Sequence, residues 1–115
     1  MPVSHVKDIP LLEVNAPGCA GVTKQSLIGP PEGWKDNVMR LFTLKKDGHS
    51  PRHIHPWPHI NYITQGKGVL FLEGREYPVE PGSVAYVPEG KEHQFLNRGE
   101  TEFSFICIVP LEGDK

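Results

Sequence analysis

Three of the chain's six histidines, His53, His55 and His59, lie within seven residues in the stretch RHIHPWPH. Neutral imidazole is a common ligand of divalent manganese, iron, cobalt, nickel, copper and zinc. On an extended segment, positions i and i+2 point to the same face with Cα atoms about 6.5–7 Å apart, so His53 and His55 can converge on one ion. The same pair beside prolines is also compatible with an exposed loop, so further ligands are needed to favour a metal site.

His59 and His93 are the candidates for these further ligands. Pro56 and Pro58 lack backbone donors and fix their own φ, so the chain must turn after His55, and His59 then opens the next apolar run. His93 lies in EGKEHQF, where another turn enters a strand. Only a closed sheet brings His93 near the other three, so the predicted site depends on a barrel.

Short apolar runs separated by turn residues indicate that barrel. The chain has 115 residues, which suits one domain, and its 12 glycines and 12 prolines are spread throughout. Runs of about four to eight residues favour an antiparallel sandwich or barrel with little helix. We predict an N-terminal arm or edge strand over residues 1–20 and a single barrel domain over residues 21–112. The clearest runs are NVMRLFTL, HINYITQ, VLFLEG, SVAYVPEG, HQFLN and TEFSFICIVP.

The last run, FSFICIV at residues 103–109, is apolar at nearly every position. A half-solvated strand alternates apolar and polar residues, so both faces of this strand are predicted to be covered. A barrel has only one interior. The second cover must come from the N-terminal arm or from another subunit, and we expect a homodimer.

Charge and hydropathy exclude several classes of partner. The chain has 12 basic and 14 acidic residues, a net charge of −2, without a long run of either sign. Neither a nucleic-acid backbone nor an anionic membrane is therefore an expected partner. We find no membrane-spanning stretch and no secretory signal in the sequence, and we expect a cytoplasmic protein in which Cys19 and Cys107 are free thiols.

Two blocks of the sequence resemble the paired motifs of the cupin superfamily, the small jelly-roll β-barrels. GSVAYVPEGKEHQFLN matches the second motif at all its marked positions, which are Gly82, Pro88, Gly90, His93 and Asn97. GHSPRHIHPWPHINYITQG departs from the first motif in two ways: one residue is missing between Gly48 and His53, and His59 replaces the usual glutamate ligand. The resemblance covers roughly residues 19–111, through VMRLFTL, RHIHPWPH and FICIVP.

Within the superfamily, the chain is most similar to small single-domain cupins that bind manganese through four histidines. The resemblance implies the ligands His53, His55, His59 and His93, and one divalent metal per chain. Manganese is then the first expectation and iron the second, while nickel, copper, cobalt and zinc also suit imidazole. Four neutral ligands leave a divalent ion more positive than three histidines and a glutamate would, which favours Lewis acidity and the binding of anions.

The resemblance also suggests that the last strand lines the barrel near the metal. A thiol at Cys107 is therefore a tentative catalytic residue, although a small apolar core residue is the commoner reading of such a cysteine. Five aromatic residues are predicted to line or rim the substrate pocket: Trp57, Phe42, Phe71, Phe95 and Phe105. Such a lining favours an aromatic or alkene substrate.

Three functions follow as hypotheses. The first is a mononuclear manganese or iron oxidoreductase, similar to a dioxygenase, which would make the protein an enzyme. The second is a redox-neutral isomerase or lyase, which needs a general base, and Glu73, Glu76 and Glu92 all lie near predicted turns. The third is a module that binds a small molecule on the metal without chemistry.

Overall fold

Nine β-strands and three short 3-10 turns make up the computed structural model, which describes residues 3–114. The strands are β1 (Leu12–Glu13), β2 (Ala20–Ile28), β3 (Asn37–His49), β4 (His59–Gln65), β5 (Gly68–Leu72), β6 (Arg75–Val79), β7 (Val84–Val87), β8 (His93–Asn97) and β9 (Phe103–Pro110). The 3-10 turns cover Val6–Asp8, Pro30–Glu32 and Leu111–Gly113. Within residues 3–114, no helical segment has the length and hydropathy needed to cross a lipid bilayer.

The strands form one antiparallel sheet that curls into a barrel. Its order is β6-β5-β8-β3-β9-β4-β7, with β2 paired to β3 and β1 paired to β2. Neighbours in this order are mostly distant in sequence, as expected for a jelly roll. The predicted all-β jelly-roll fold is confirmed. This topology brings β4 and β8, which carry His59 and His93, to the same region of the barrel.

The inner face of the sheet holds the hydrophobic core. Alternate residues of β9 point inward, and Phe103, Phe105, Cys107 and Val109 are each at most 4% exposed. β9 pairs with β3 in continuous register and with β4 in register as far as Ile63, after which the register shifts, so its inward row continues onto both neighbours. The residues of β3 and β4 that pair with these inward residues of β9 therefore also face the barrel interior.

The outer face of β9 is only partly covered. Ile106 and Ile108 are half-buried, and they pair with residues of β3 and β4. Apolar side chains on the same outer face of β4 and β7 are exposed: Ile60, Tyr62, Val84 and Tyr86. Because this apolar surface is uncovered in the single chain, a homodimer that covers it stays a prediction.

The N-terminal segment packs against β2 instead. The Gln25 side chain donates hydrogen bonds from Nε2 to the carbonyls of Val6 (2.8 Å) and Ile9 (3.0 Å). The only strand in this segment, within residues 3–19, is the two-residue β1. The arm thus covers an edge of the barrel and leaves the apolar surface on β4 and β7 open.

Asn97 ties the end of β8 to its surroundings. Its side chain is buried, and Nδ2 points at the carbonyls of Leu44 (3.0 Å), Lys45 (3.0 Å) and Thr101 (2.8 Å). Its Oδ1 accepts from the backbone N–H of Gly99 at 3.0 Å. The motif asparagine therefore satisfies backbone groups where β8 turns away from β3.

We predict that Asn97→Ala lowers the free energy of unfolding by about 2–3 kcal/mol, because it leaves several buried backbone groups without a partner. Urea denaturation followed by circular dichroism measures this change. Asn15→Ala, at an exposed asparagine, is the matched control and should change stability by less than about 0.5 kcal/mol. Equal effects of the two substitutions would contradict the role of Asn97.

Candidate metal centre

The loop that carries His53 and His55 is held against β8 by backbone hydrogen bonds. His53 and His93 exchange reciprocal bonds, His53 N–H to His93 O at 3.1 Å and His93 N–H to His53 O at 3.0 Å. Ser50 N–H donates to Phe95 O at 2.9 Å. Sequence analysis treated RHIHP as extended, whereas the structure has an irregular loop with a single β-bridge at His53. The prolines prevent a regular ladder, and the bridge to β8 replaces it.

Gly90 supports the same loop from the other side. Its φ is +75°, in the left-handed region that favours glycine, and its N–H donates to His55 O at 2.9 Å. The turn that precedes β8 therefore contacts the loop that precedes β4. The positive φ gives a physical reason for glycine at that position of the motif.

The structure groups three of the four predicted ligands and places the fourth beside them. One ring nitrogen each of His53, His55 and His93 lies within 4.8 Å of the other two. His59 is not part of this group of three, but its Nε2 lies 3.2 Å from His93 Nε2. His59 and His93 are buried, His55 is half-buried and His53 is exposed. The cluster thus extends from the surface at His53 to the barrel interior at His59 and His93.

Hydrogen bonds set the tautomers of three of these rings. Each Nδ1 faces an oxygen that only accepts: His55 faces the Trp57 carbonyl (2.9 Å), His59 faces Asn61 Oδ1 (2.7 Å) and His93 faces the Lys91 carbonyl (2.8 Å). The Asn61 amide is oriented by Nδ2, which donates to Ile106 O at 3.4 Å. The proton of each neutral ring must therefore sit on Nδ1, and Nε2 carries the free lone pair.

This assignment leaves a conflict that a cation resolves. With both protons on Nδ1, His59 Nε2 and His93 Nε2 direct lone pairs at each other across 3.2 Å. Two nitrogens bound at right angles to one ion with bonds of about 2.1 Å are about 3 Å apart. The donor set and its spacing therefore fit a divalent transition-metal ion.

The electrostatics of the metal-free cluster keep the rings neutral. The pKa of His59 falls to about 3 and that of His53 to about 4, mainly because loss of hydration disfavours the charged ring, and then because His93 would repel a further positive charge. Burial also lowers the pKa of His55 and His93. His53 is the most exposed of the four, so solvent screens its shift most. Neutral rings are the form that a metal requires.

A cavity of about 390 Å³ opens beside the histidines. Four predicted pocket residues line it: Phe42, Trp57, Phe95 and Phe105. Trp57 stacks on the His55 ring with centroids 4.6 Å apart and planes 12° from parallel. The cavity is therefore walled by aromatic rings, with the histidines at one side.

Phe71 does not line the cavity. In the register of β5 and β8, Leu70 pairs with Phe95, whereas Phe71 pairs with Gln94 and so belongs to the outer face. The Arg52 guanidinium covers the Phe71 ring at 3.9 Å. The apolar run VLFLEG offered no alternation from which to choose the inward face, and this pocket assignment is corrected.

Cys107 lines the cavity and is 4% exposed. Burial raises the pKa of its thiol, while the nearby Arg40, whose Nη2 donates to Sγ at 3.1 Å, acts in the opposite direction. The thiol is therefore protonated near neutral pH and is a weak nucleophile. A catalytic role for Cys107 stays a prediction.

Comparison with known proteins agrees with this architecture. A family model described as a cupin domain matches residues 40–109. The chain belongs to the cupin family. Among solved structures, this cupin is similar to the polyketide cyclase RemF from Streptomyces resistomycificus, with a TM-score of 0.89, 30% identity, and coverage of 96% of this chain and 79% of that one.

Curated relatives of this cupin have varied names. It is 33% identical over 52 residues to an oxalate-binding protein from Thermotoga maritima, across 45% of this chain and 43% of that protein. It is 40% identical over 58 residues to a glucose-6-phosphate isomerase from Pyrococcus abyssi, across 46% of this chain and 31% of that enzyme. The cupin thus spans less than half the length of each.

Two polar residues of the site, Arg40 and Asn61, were not predicted from the sequence. Both are buried and line the cavity. The alternation of side chains along each strand could have identified them. Asn61 lies two residues after His59, and Arg40 lies two residues before Phe42. Each therefore shares the inward face of its strand with a residue already assigned to the site.

The lowered histidine pKa values predict acid sensitivity of the metal-free cupin. Below pH 6.5 the histidines are protonated in the unfolded state but stay neutral in the folded cluster. The free energy of unfolding therefore falls as the pH falls toward 3–4. At pH 5, His59 alone, with a folded pKa of about 3, costs roughly 2 kcal/mol. Urea midpoints between pH 7.5 and 5, above the titration range of most carboxylates, measure the effect.

The matched control for this prediction is His59→Gln, which removes one of the depressed groups. Its midpoint should change less with pH than that of the wild type. An identical pH dependence in the two proteins would contradict the inferred effect of His59.

Proposed function

We propose that His53, His55, His59 and His93 bind one divalent metal ion per chain, and that this cupin is a mononuclear metal enzyme for a small molecule held in the adjacent cavity. The observation that carries the proposal is the pair of Nε2 lone pairs of His59 and His93, which face each other at 3.2 Å. Carbonyl and amide oxygens hold both rings in this orientation. Such second partners are typical of metal-binding histidines.

The protein's own contribution is orientation and exclusion of water. Each of three histidine rings is held in place by one oxygen acceptor. Asn61 holds His59, and the carbonyls of Trp57 and Lys91 hold His55 and His93 respectively. Phe42, Phe95 and Phe105 provide an apolar wall. When bound, the metal would supply Lewis acidity and, if it is manganese or iron, electron exchange with an oxidant.

The reaction class that we propose first is oxidation of the dioxygenase type, with manganese as the first choice of metal and iron as the second. The neutral ligand set and the aromatic wall support this assignment, because they suit a redox metal and an aromatic or alkene substrate. We further propose a homodimer that covers the exposed apolar surface on β4 and β7.

A redox-neutral reaction is the second candidate, and the comparisons favour it. The relatives include glucose-6-phosphate isomerases, and a similar structure is that of a polyketide cyclase. Against it, no Asp or Glu among the described residues lines the cavity, so a carboxylate general base is lacking there. A binding module is the third candidate, supported by the likeness to an oxalate-binding protein.

The metal site predicts one metal ion per chain after purification without chelators or a metal-affinity column. Growth with several metals supplied together, followed by elemental analysis, identifies the ion. His93→Ala should lose the metal, since it removes a ligand and the partner of His59. His49→Ala is the control, because His49 lies outside the cluster and should leave the metal content unchanged.

Manganese or iron at that stoichiometry supports the enzyme, whereas one tightly held zinc favours a structural or binding role. A metal content near zero in wild type, or equal contents in the two variants, contradicts the proposed site.

The reaction class is decided by the need for oxygen. The metal-loaded protein is incubated with alkene and aromatic substrates in air and under anaerobic conditions, and product is measured with oxygen uptake. The dioxygenase proposal expects turnover only in air, at about one oxygen molecule per product. Equal turnover without oxygen supports the redox-neutral candidate. If no substrate is turned over, the result supports the non-catalytic binding module.

A further inference from the structure

Arg40 is the only residue with a permanent charge among the described residues that line the cavity. It points inward from β3, and its exposed fraction is 7%. Its guanidinium carbon lies 4.8 Å from the centre of the Phe42 ring. A guanidinium this far from solvent needs partners for its five N–H groups.

The chain provides those partners only in part. Nη2 donates to Cys107 Sγ at 3.1 Å, and sulfur is a weak acceptor. Nη1 lies 3.5 Å from Asp114 Oδ1, but the same oxygen lies closer to Lys24 Nζ, at 2.7 Å. Buried Nε has no hydrogen-bond partner. Arg40 therefore retains unsatisfied donors inside the cavity.

The position of Arg40 relates it to the histidines. Cys107 on β9 pairs with Arg40 on one side and with Asn61 on the other, so the three form a row across the sheet. Two strand spacings place the Cα atoms of Arg40 and Asn61 about 9–10 Å apart. Asn61 in turn contacts His59. A small molecule can therefore reach both Arg40 and the cluster.

The described lining of the cavity carries one permanent charge, the positive charge of Arg40. No Asp or Glu among the described lining residues offsets that charge. Outside the lining, Asp114 and Lys24 neutralise each other at 2.7 Å. Near Arg40 the cavity therefore favours an anionic group over a neutral one.

We propose that Arg40 binds the carboxylate of the substrate, so that this cavity selects small carboxylic acids with an apolar body. Parallel N–H groups of one guanidinium match the two oxygens of a carboxylate. The apolar body then lies against Phe42, Phe95 and Phe105. The proposal rests on the proposed function for the role of the bound acid, but the contact with Arg40 itself requires no metal.

Benzoate and benzamide test this contact, because they share a shape and differ in charge. Binding is measured by NMR titration of the protein as purified and again after removal of metal by a chelator. Wild type should bind benzoate at least tenfold more tightly than benzamide in both preparations. Arg40→Gln should abolish that preference and Arg40→Lys should retain part of it. Arg52→Gln, at the arginine on the outer face, should leave it intact.

Asp114→Asn is a second variant, at a partly exposed residue outside the core. It removes the carboxylate that competes for Nη1, so benzoate should bind several-fold more tightly. This result supports the proposal even if the Arg40 variants fail to fold, and unchanged or weaker benzoate binding would overturn it.

Failure of this inference is distinct from failure of the proposed function. Wild type that binds both compounds equally, or neither, overturns the role of Arg40 even when the protein holds its metal. An Arg40-dependent preference for benzoate in a protein that takes up no metal would uphold the anion site and overturn the metal enzyme.

Discussion

The reciprocal backbone hydrogen bonds between His53 and His93 are the constraint on which the site depends. The loop before β4 contains three prolines after Ser50, so it cannot form a strand ladder of its own. Its attachment to β8 fixes where two of the histidines stand, and the turn at Gly90 holds the carbonyl of His55. The donor geometry is thus set by main-chain bonds between two segments about forty residues apart in sequence, while the side chains only complete it.

Local patterns in the sequence predicted the strands well. HINYITQ and HQFLN coincide with β4 and β8, because glycine, proline and asparagine end the runs on both sides. The candidate ligands followed from histidine spacing and from the cupin motifs, and the structure groups His53, His55 and His93, with His59 beside His93. RHIHP forms a single β-bridge at His53 instead of a regular strand, because the partner of that segment lies on β8 and nothing local specifies it.

Other features of the site could not be read from the sequence. Phe71 lies in a run that is apolar on both faces, so only the observed register decides which way it points. The tautomers of His55 and His93 depend on the backbone carbonyls of Trp57 and Lys91. Every residue has such a carbonyl, so the amino-acid sequence does not indicate which ones accept these bonds. Arg40 lies in the apolar run VMRLF of β3. Its alternation with Phe42 indicates that it points inward, but only packing shows how few partners its guanidinium has.

The stack of Trp57 on His55 couples an optical property to the state of the site. The indole lies 4.6 Å from the imidazole and nearly parallel to it, and a Cβ at Gly113 in the C-terminal turn would come within 2.7 Å of its Nε1. Protonation or coordination of His55 changes the charge next to the indole, and indole emission responds to such charges. The second tryptophan, Trp34, is at the surface outside the cavity. Trp57 is therefore a built-in fluorescent reporter of what the histidines hold.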